Sequence, residues 1–408
     1  MFHCRHCSAK LTHDFIDLGH QPPSNAYLAA GALDEPETYF PLKVFVCTHC
    51  WLAQLPAHAA ASELFTPNYA YFSSTSKAWL VHAERYVEAM MERFGLGPQS
   101  LVIEVASNDG YLLQFVKERA IPCVGIEPTS STAAAARAKG IETLELFLDE
   151  ATGCEVGDSH GRADLLVANN VLAHVPDIND FVRGIAELLA PTGVATFEFP
   201  HLLSLLEGLQ FDTIYHEHFS YLSLTAVSRI LEAARLRVFD VEELSSHGGS
   251  LRVFACQSDA DRPAGDAVGA FLAREQAAGV KDLPAYSRLQ REAERIKDEL
   301  VTFLIAEKSA GRRVAAYGAA AKGNTLLNFA GVKPDLLPYV CDAAASKQGR
   351  FMPGSHIPIL APEALAEDKP DTVLILPWNI AEEIVSSLSQ VQEWGGRFAI
   401  AVPRLTLL

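Results

Sequence analysis

Apolar residues recur at helical spacing over one long segment near the start of the chain. Between residues 77 and 94 they return every three or four positions, and Gly95 and Gly97 follow directly. This spacing predicts an amphipathic helix that ends at the first glycine. The apolar positions of this helix are Trp79, Leu80, Ala83, Val87, Met90, Met91 and Phe94.

Downstream of this helix, short apolar runs alternate with segments of helical pattern. The runs at 101–105, 123–126, 164–168 and 194–199 predict strands, and the segments near 111–118, 132–139 and 180–189 predict helices. Such alternation is typical of a parallel, doubly wound α/β sheet. Ligands of these sheets bind at the carboxyl ends of the strands, so the chemistry is expected there.

A second α/β series follows a long, charge-rich helical stretch near residues 265–310. Its predicted strands are 313–317, 337–341, 372–376 and 398–402. Residues 1–72, by contrast, are interrupted by glycines and prolines and predict a small, irregular unit. The expected fold class is therefore α/β, with three domains at 1–72, 73–240 and 241–408.

Composition and charge narrow the range of partners. The chain has 408 residues, 33 of them basic and 50 acidic, for a net charge of -17. This charge would repel a phosphate backbone, and no basic stripe suits an anionic membrane surface, so neither nucleic acid nor membrane is an expected partner. The N-terminus lacks an apolar core of signal-peptide length, and no run approaches a membrane span. A cytoplasmic location is expected.

Four cysteines form two close pairs, Cys4 with Cys7 and Cys47 with Cys50. Four thiolates brought together suit a tetrahedral Zn²⁺ with no open position, so the metal is expected to be structural. Free or disulfide-bonded cysteines are the alternative, which the pairing and the expected reducing compartment disfavour.

The turn after the first strand of the middle domain has the features of a cofactor site. Ser107, Asn108 and Gly110 lie in a run of small residues that opens a helix, where a nucleotide cofactor can approach backbone amides. The run departs from Gly-x-Gly-x-x-Gly, which weakens a dinucleotide interpretation. Glu127 follows the second strand and can accept hydrogen bonds from ribose hydroxyls. Together with Glu104, this pattern resembles a class I methyltransferase that uses S-adenosylmethionine. Asn169 and His174 follow the predicted strand 164–168, where such enzymes line the cleft.

The segment 214–221 (IYHEHFSY) concentrates titratable side chains in one loop. Histidine titrates near neutral pH, and an adjacent carboxylate or phenol can orient it, so the loop reads as a proton-transfer centre. A solvated surface loop is the alternative. The side chains concerned are Tyr215, His216, Glu217 and His218.

Taken together, the motifs resemble the sugar C-methyltransferases that act on nucleotide-linked deoxysugars. The resemblance covers essentially the whole chain through the two cysteine pairs and the segments YAYFSSTS, EVASNDGYLL, GIEP, NNVLAHVPD, YHEHFSYLS, HGGSLR and YGAAAKGNTLLN. It implies an N-terminal zinc-binding domain, a central Rossmann-like class I methyltransferase domain and a C-terminal Rossmann-like domain that binds the nucleotide sugar.

The resemblance also implies a substrate and a set of catalytic residues. The substrate would be a keto sugar on a nucleoside diphosphate, usually dTDP with the ketone at C4, and the base would be His218. Glu217 and Tyr215 would position that base or the sugar, and His174 and Tyr69 would hold the ketone oxygen. On sequence grounds alone His216 remains an equal candidate for the base.

Further substrate contacts are expected from both ends of the chain. Tyr71 is either substrate-binding or simply core, and His247 lies in a glycine-rich turn that would approach the sugar nucleotide. In the C-terminal domain Tyr317, Lys322 and Asn324 flank a strand-to-helix turn that can cradle a diphosphate.

Three alternatives stay open at this point. The methyl group could go to C5 instead of C3, the nucleotide could differ, or the chain could be a non-catalytic nucleotide-binding module whose zinc unit contacts another protein. Three domains in one chain are compatible with a monomer that holds a complete site.

Overall fold

The computed structural model describes residues 2–58 and 72–408. Within these ranges the chain forms three sheets. Tyr69 and Tyr71, two of the predicted substrate-facing residues, lie outside the described residues, so their roles stay predictions.

The N-terminal sheet is small and antiparallel, and it borrows its last strand from later in the chain. Its own strands are β1 (His13–Gln21), β2 (Phe40–Val46) and β3 (Ala53–Gln54), with a short 3-10 turn at Ala30–Ala32. The fourth strand, β9 (Ser220–Tyr221), pairs antiparallel with β3. The segment that contains the histidine motif therefore runs directly into the sheet of the N-terminal domain.

The middle domain begins with the helix that the apolar spacing predicted. Helix α1 (Lys77–Phe94) starts where Ser76 accepts a hydrogen bond from the Trp79 amide and ends at Gly95, whose φ is 65°. A serine N-cap and a left-handed glycine are the usual chemical signals for these two ends.

Seven strands follow the predicted alternation and then extend it. They are β4 (Val102–Val105), β5 (Cys123–Ile126), β6 (Thr143–Leu144), β7 (Ala163–Asn169), β8 (Leu189–Pro200) and, beyond β9, the hairpin of β10 (Leu236–Leu244) with β11 (Ser250–Gln257). The helices are α2 (Leu113–Glu118), α3 (Ser130–Ala138), α4 (Glu150–His160), α5 (Ile178–Leu188), α6 (Leu202–Glu207) and α7 (Leu224–Ala233).

The strand order of this sheet is β10-β11-β8-β7-β4-β5-β6. Strands β4 to β8 run parallel, while β11 is antiparallel to β8 and to β10. The carboxyl ends of β4, β5, β7 and β8 therefore meet at one edge. The predicted domain border after residue 240 lies within β10, and the sheet itself continues to Gln257.

The C-terminal domain contains a second doubly wound sheet, preceded by α8 (Asp266–Ala277) and the long α9 (Leu283–Ser309). Its strand order is β14-β13-β12-β15-β16-β17, so the order reverses between β12 and β15. The strands are β12 (Val314–Tyr317), β13 (Val340–Cys341), β14 (Ile359–Leu360), β15 (Thr372–Ile375), β16 (Arg397–Ile400) and β17 (Thr406–Leu407). The helices are α10 (Ala321–Phe329), α11 (Glu363–Asp368), α12 (Ala381–Ser387) and α13 (Gln390–Glu393).

One apolar cluster joins the N-terminal and C-terminal domains. Phe15 of β1 meets Tyr286 of α9 edge to face, with ring centroids 5.0 Å apart, and both side chains are buried. The same cluster contains Phe211 and Ile214, which lead into the histidine motif. Among the described residues, no helix has both the length and the apolar character needed to cross a bilayer.

Candidate active site

The four paired cysteines converge on one point. Their sulfur atoms all lie within 4.8 Å of one another, and the closest pairs, Cys4 with Cys50 and Cys7 with Cys47, are 3.4 and 3.6 Å apart. Four thiolates bound to one Zn²⁺ at about 2.3 Å lie about 3.8 Å apart, so the set fits a tetrahedral zinc. The distances are also far too long for disulfide bonds.

Both cysteine turns share one backbone geometry. In each, the residue after the second cysteine has a left-handed backbone, with φ of 59° at Ser8 and 64° at Trp51. The amide of that residue donates to the carbonyl of the first cysteine, over 2.9 Å in one turn and 2.8 Å in the other. The two turns are thus equivalent halves of one metal site, and neither Ser8 nor Trp51 was recognised from the sequence.

The loop between β4 and α2, where the sequence predicts the cofactor site, contains several residues with left-handed backbone conformation. Ala106, Asn108 and Gly110 have φ values of 56°, 50° and 74°, and Asn170, after β7, has 52°. Left-handed conformations at non-glycine residues cost free energy and concentrate at ligand sites. Alternation of backbone conformation in such a loop turns successive amides toward a common centre.

The acidic residue after β5 is fixed by the same loop. Glu127 is buried and accepts hydrogen bonds from the Asn108 and Thr129 amides, both over 2.9 Å. Asn108 in turn accepts from the Ser73 amide at 2.9 Å, which ties the loop to the start of α1. The orientation of the carboxylate is therefore fixed by this loop.

Buried polar atoms at this edge lack protein partners. The Ser107 hydroxyl and the Asn169 amide oxygen make no hydrogen bond within the described residues, although both are almost completely buried. A bound nucleoside would supply partners, so these atoms fit a cofactor at this edge. Glu104 lies deeper in β4. Burial raises the pKa of its carboxyl well above the ordinary value, against a hydrogen bond from Tyr111.

The ring of His218 is held by a backbone carbonyl. Its Nδ1 lies 2.9 Å from the Thr213 oxygen, and the residue is 9% exposed. A carbonyl oxygen can only accept a hydrogen bond, so Nδ1 carries the proton and the lone pair of the neutral ring lies on Nε2. Burial, followed by the neighbouring His174, keeps the pKa of His218 well below its usual value. The ring is therefore a neutral base at physiological pH.

A second histidine and a tyrosine complete this group. The Nδ1 of His174 donates to the Glu217 carbonyl over 2.9 Å, and burial lowers its pKa to about 4. The His174 and His218 ring centroids are 4.7 Å apart, and the Tyr215 ring lies 4.0 Å from that of His218. The structure thus brings three of the predicted catalytic side chains together.

His216 faces away from this group. Its Nε2 lies 3.3 Å from the Phe40 carbonyl in β2, and burial lowers its pKa to about 4. The chain turns at residues 216 and 217, where the His218 amide donates to the Tyr215 carbonyl over 2.9 Å, and this turn separates the two rings. His216 therefore contacts the N-terminal domain.

Glu217 also reaches the N-terminal domain. Its Oε1 accepts a hydrogen bond of 2.7 Å from the Asn25 side chain. The His218 ring is fixed by the hydrogen bond that its Nδ1 donates to the Thr213 carbonyl, which the sequence could not indicate because any residue can offer a carbonyl. Asn25 itself gave no signal in the sequence.

The C-terminal domain contributes a cation and an aromatic ring. Lys322 donates to Asn379 over 2.6 Å and lies 4.6 Å from the Trp378 ring centre, beyond the carboxyl end of β15. The Trp378 indole donates to Asp212 over 2.7 Å, just before the histidine motif. Burial raises the pKa of Asp212 to about 6 and lowers that of Lys322. The cation thus faces the histidine loop across the junction of two domains.

His247 lies close to the same place and remains exposed to solvent. It has a φ of 55°, and a side chain on the adjacent Gly248 would meet the Trp378 ring at 2.7 Å. Glu198, at the end of β8, accepts from the Ser246 hydroxyl over 3.0 Å and anchors the turn. Burial alone would raise the pKa of Glu198, but His82 and Arg252 outweigh it and hold the pKa low.

Two other predicted substrate contacts lie elsewhere. Asn324 is fully buried and donates to the Ser24 carbonyl over 2.6 Å, so it joins the C-terminal and N-terminal domains. Tyr317 packs at the edge of the apolar cluster that includes Cys341 and Ile375. Sequence reasoning missed Asp212, Trp378 and Asn379, although the last two follow a strand at the point where the sheet order reverses, which is a recognisable signal.

Three family models match successive parts of the chain. Residues 4–65 match "Putative zinc binding domain", residues 79–241 match "Methyltransferase domain", and residues 245–403 match "C-methyltransferase C-terminal domain". The fold and site thus define a methyltransferase with an N-terminal zinc-binding domain.

A whole-length relative identifies the family. The chain is 36% identical over 400 residues to the C-methyltransferase NovU of Streptomyces niveus, covering 98% of this chain and 95% of that one. The protein therefore belongs to this family of C-methyltransferases. It is an S-adenosylmethionine-dependent C-methyltransferase with a zinc-binding domain.

Two more distant relatives each match less than half of the chain. The ubiquinone biosynthesis O-methyltransferase of Rhodopseudomonas palustris (strain BisA53) is 26% identical over 26% of this chain and 45% of its own length. Magnesium protoporphyrin IX methyltransferase (ChlM) from Synechocystis PCC 6803 has 15% identity and a TM-score of 0.36, over 44% of this chain and 85% of that one. Nothing about substrate follows from similarity at this level.

Proposed function

We propose that the enzyme methylates the carbon next to the C4 ketone of a dTDP-linked 4-keto deoxysugar, at C3, to give a branched sugar. The observation that carries this proposal is the buried, neutral His218, whose lone pair is fixed on Nε2 by the Thr213 carbonyl. Carbon next to a ketone is a weak acid, and its proton can be removed by a positioned neutral base.

The proton leaves to His218, and the two electrons of its C–H bond pass into a C=C bond as the ketone becomes an enolate. Tyr215 stands beside the His218 ring, and its hydroxyl would donate a hydrogen bond to the enolate oxygen. His174 cannot donate there, because its Nδ1 proton goes to the Glu217 carbonyl and its Nε2 has only a lone pair, so it would contribute by packing against the His218 ring. S-adenosylmethionine, when bound, would supply an electrophilic methyl group on a sulfonium. The enolate carbon would form the new C–C bond as the C4 ketone re-forms, and the methyl–sulfur bond would break with its electron pair left on the sulfur of S-adenosylhomocysteine. His218 then returns its proton to solvent.

The cofactor would be held at the carboxyl edge of the middle sheet. Glu127, whose carboxylate is fixed by the Asn108 amide, would accept from ribose hydroxyls, and the cofactor would also contact Ser107, Asn108, Gly110 and Asn169. Glu104 is buried within β4, so it would support the cofactor loop from inside the sheet.

The diphosphate would bind between the middle and C-terminal domains. Lys322 supplies the positive charge there, and Asn379 and Trp378 supply a donor and an aromatic face. The exposed His247 completes this side of the junction. A base on one domain and an anion site on the other would place the sugar between them.

Incubation with S-adenosylmethionine and a dTDP-4-keto-2,6-dideoxy sugar tests the proposal. Mass spectrometry should find a product heavier by one CH2, and NMR should place the methyl group on C3. A methyl group on C5 would contradict the assigned position. Absence of transfer, while the cofactor binds normally, would contradict the substrate.

A further inference from the structure

The zinc-binding domain extends to within two residues of the proposed base. Strand β3 pairs with β9 through Ala53 with Tyr221 and Gln54 with Ser220. The Leu55 amide then donates to the Phe219 carbonyl over 3.0 Å. The backbone that follows His218 is thus the outermost strand of the zinc domain's own sheet.

Arg5 lies between the first pair of zinc ligands, Cys4 and Cys7. It contacts two histidine segments, the one that contains His174 and the one that contains His218. Its Nη1 donates to the Pro176 carbonyl over 2.9 Å, two residues beyond His174. Its Nη2 donates to the Leu55 carbonyl, and its guanidinium carbon lies 5.4 Å from the centre of the Phe219 ring, next to His218. The Arg5 side chain therefore contacts residues close to both His174 and His218.

The backbone of Arg5 is connected to the metal site by hydrogen bonds through Gln54. Its amide donates to Oε1 of Gln54 over 2.9 Å, and Nε2 of Gln54 donates to the Cys4 sulfur over 3.1 Å. Gln54 is buried in β3, opposite Ser220. Contacts therefore run without interruption from a zinc ligand, through Gln54 and Arg5, to the histidine segments.

The guanidinium group is suited to this task. It is planar, and its donors leave in fixed directions, so two carbonyls bound to different nitrogens are held at a fixed separation. The two supported rings, His174 and His218, lie only 4.7 Å apart at their centroids. A displacement of about 1 Å between reacting groups can cost about 100-fold in rate.

We infer that Arg5 is a positioning residue for the methyl transfer: it sets the separation of His174 and His218 from the zinc-binding domain. This inference rests on the proposed role of His218 as the base. It gives the zinc domain a part in the reaction through a residue that touches neither substrate nor cofactor.

Arg5→Met and Arg5→Lys test the inference, with Arg229→Met as the matched control. Arg229 also joins a zinc turn to the middle domain, because it donates to the His49 carbonyl from α7, but it reaches neither histidine segment. For each variant the experiment measures zinc content, S-adenosylmethionine affinity and melting temperature. It also measures KM, kcat and, without cofactor, deuterium exchange at the sugar α-carbon.

The expected loss is in proton transfer. Arg5→Met should lower exchange and kcat by about 10- to 100-fold, as expected for ~1 Å of displacement, with zinc content, cofactor affinity and KM close to wild type. Arg5→Lys should recover part of the lost exchange and kcat, because lysine keeps the positive charge but lacks the planar guanidinium with its fixed donor directions. Arg229→Met should stay within about twofold, because an arginine that misses the histidines contributes mainly stability.

Three results would overturn the inference: exchange in both Arg5 variants equal to that in Arg229→Met, a loss that disappears once zinc content is equalised, or a loss confined to KM. These differ from failure of the proposed function itself. That failure would show as exchange that survives in His218→Gln, whatever the Arg5 variants do.

Discussion

Two backbone carbonyls determine what the buried histidines can do. Thr213 and Glu217 each accept the Nδ1 proton of one ring, which leaves Nε2 as the basic atom of both His218 and His174. The sequence predicts the rings, because histidine titrates near neutral pH and an adjacent carboxylate or phenol can orient it. It cannot predict the carbonyls, because they depend on how the chain folds around the rings.

The low histidine pKa gives a testable pH dependence. The free base must be neutral, so kcat/KM should fall as pH drops through the pKa of His218, which burial and His174 keep well below 6.5. We therefore expect kcat/KM to be constant from pH 8 to about 6.5 and to decline only at lower pH, since this ratio reports the free enzyme. An acid limb at or above pH 6.5 would contradict a buried base.

Lys322 should affect substrate binding more than chemistry. Lys322→Met removes the positive charge beside Trp378 and leaves Asp212 without its neighbouring cation. We expect KM for the nucleotide sugar to rise by about 10- to 100-fold with kcat within about threefold, because a charge-assisted hydrogen bond is worth roughly 1.5–3 kcal/mol. Lys308→Met, at an exposed ion pair with Asp335, is the control. Unchanged KM in Lys322→Met would argue against a diphosphate there.

Elements with a strong local pattern agree well with the sequence. The helix expected at 77–94 is α1, and the expected middle strands coincide with β4, β5, β7 and β8 to within a few residues, except that β8 starts five residues early. The hairpin of β10 and β11 was not placed, because apolar pattern alone does not reveal which sheet a strand joins. For the same reason the pairing of β9 with the zinc domain was not foreseen.

The turn that opens α2 should tolerate no added side chain at Gly110. Its φ is 74°, and a Cβ there would lie 2.4 Å from the Ile141 side chain. Gly110→Ala should lower the free energy of unfolding by about 2–4 kcal/mol and weaken cofactor binding, through overpacking and a strained backbone. Gly97→Ala, where nothing lies within 4 Å, should be nearly neutral in both measurements. Equal melting temperatures for the two variants would contradict this packing.

All three domains of the molecule hold the histidine loop. The zinc domain contributes Asn25 to Glu217 and β3 to β9, while Thr325 of the C-terminal domain donates to the Ile214 carbonyl over 2.8 Å. Loops between domains are ordered by such contacts. The site is therefore a property of the assembled chain, which explains why sequence motifs located its parts without showing their arrangement.

Zinc removal should separate cofactor binding from methyl transfer. The purified protein should contain about one zinc per chain, and a chelator should abolish transfer, because four-cysteine sites contribute folding energy directly. The cofactor loop belongs to a different sheet, so S-adenosylmethionine binding by calorimetry should persist, and added zinc should restore transfer. Full activity at a metal content far below one per chain would show that the cysteines serve another purpose.

Deuterium exchange at the sugar α-carbon in His218→Gln and His216→Gln tests the central assignment most directly. His218 belongs to the cluster with His174 and Tyr215, whereas His216 bonds to Phe40 of the zinc domain. We expect exchange to be lost in His218→Gln, by about 100-fold or more as for removal of a general base, and largely retained in His216→Gln. Exchange that survives in His218→Gln, or disappears only in His216→Gln, would contradict the account.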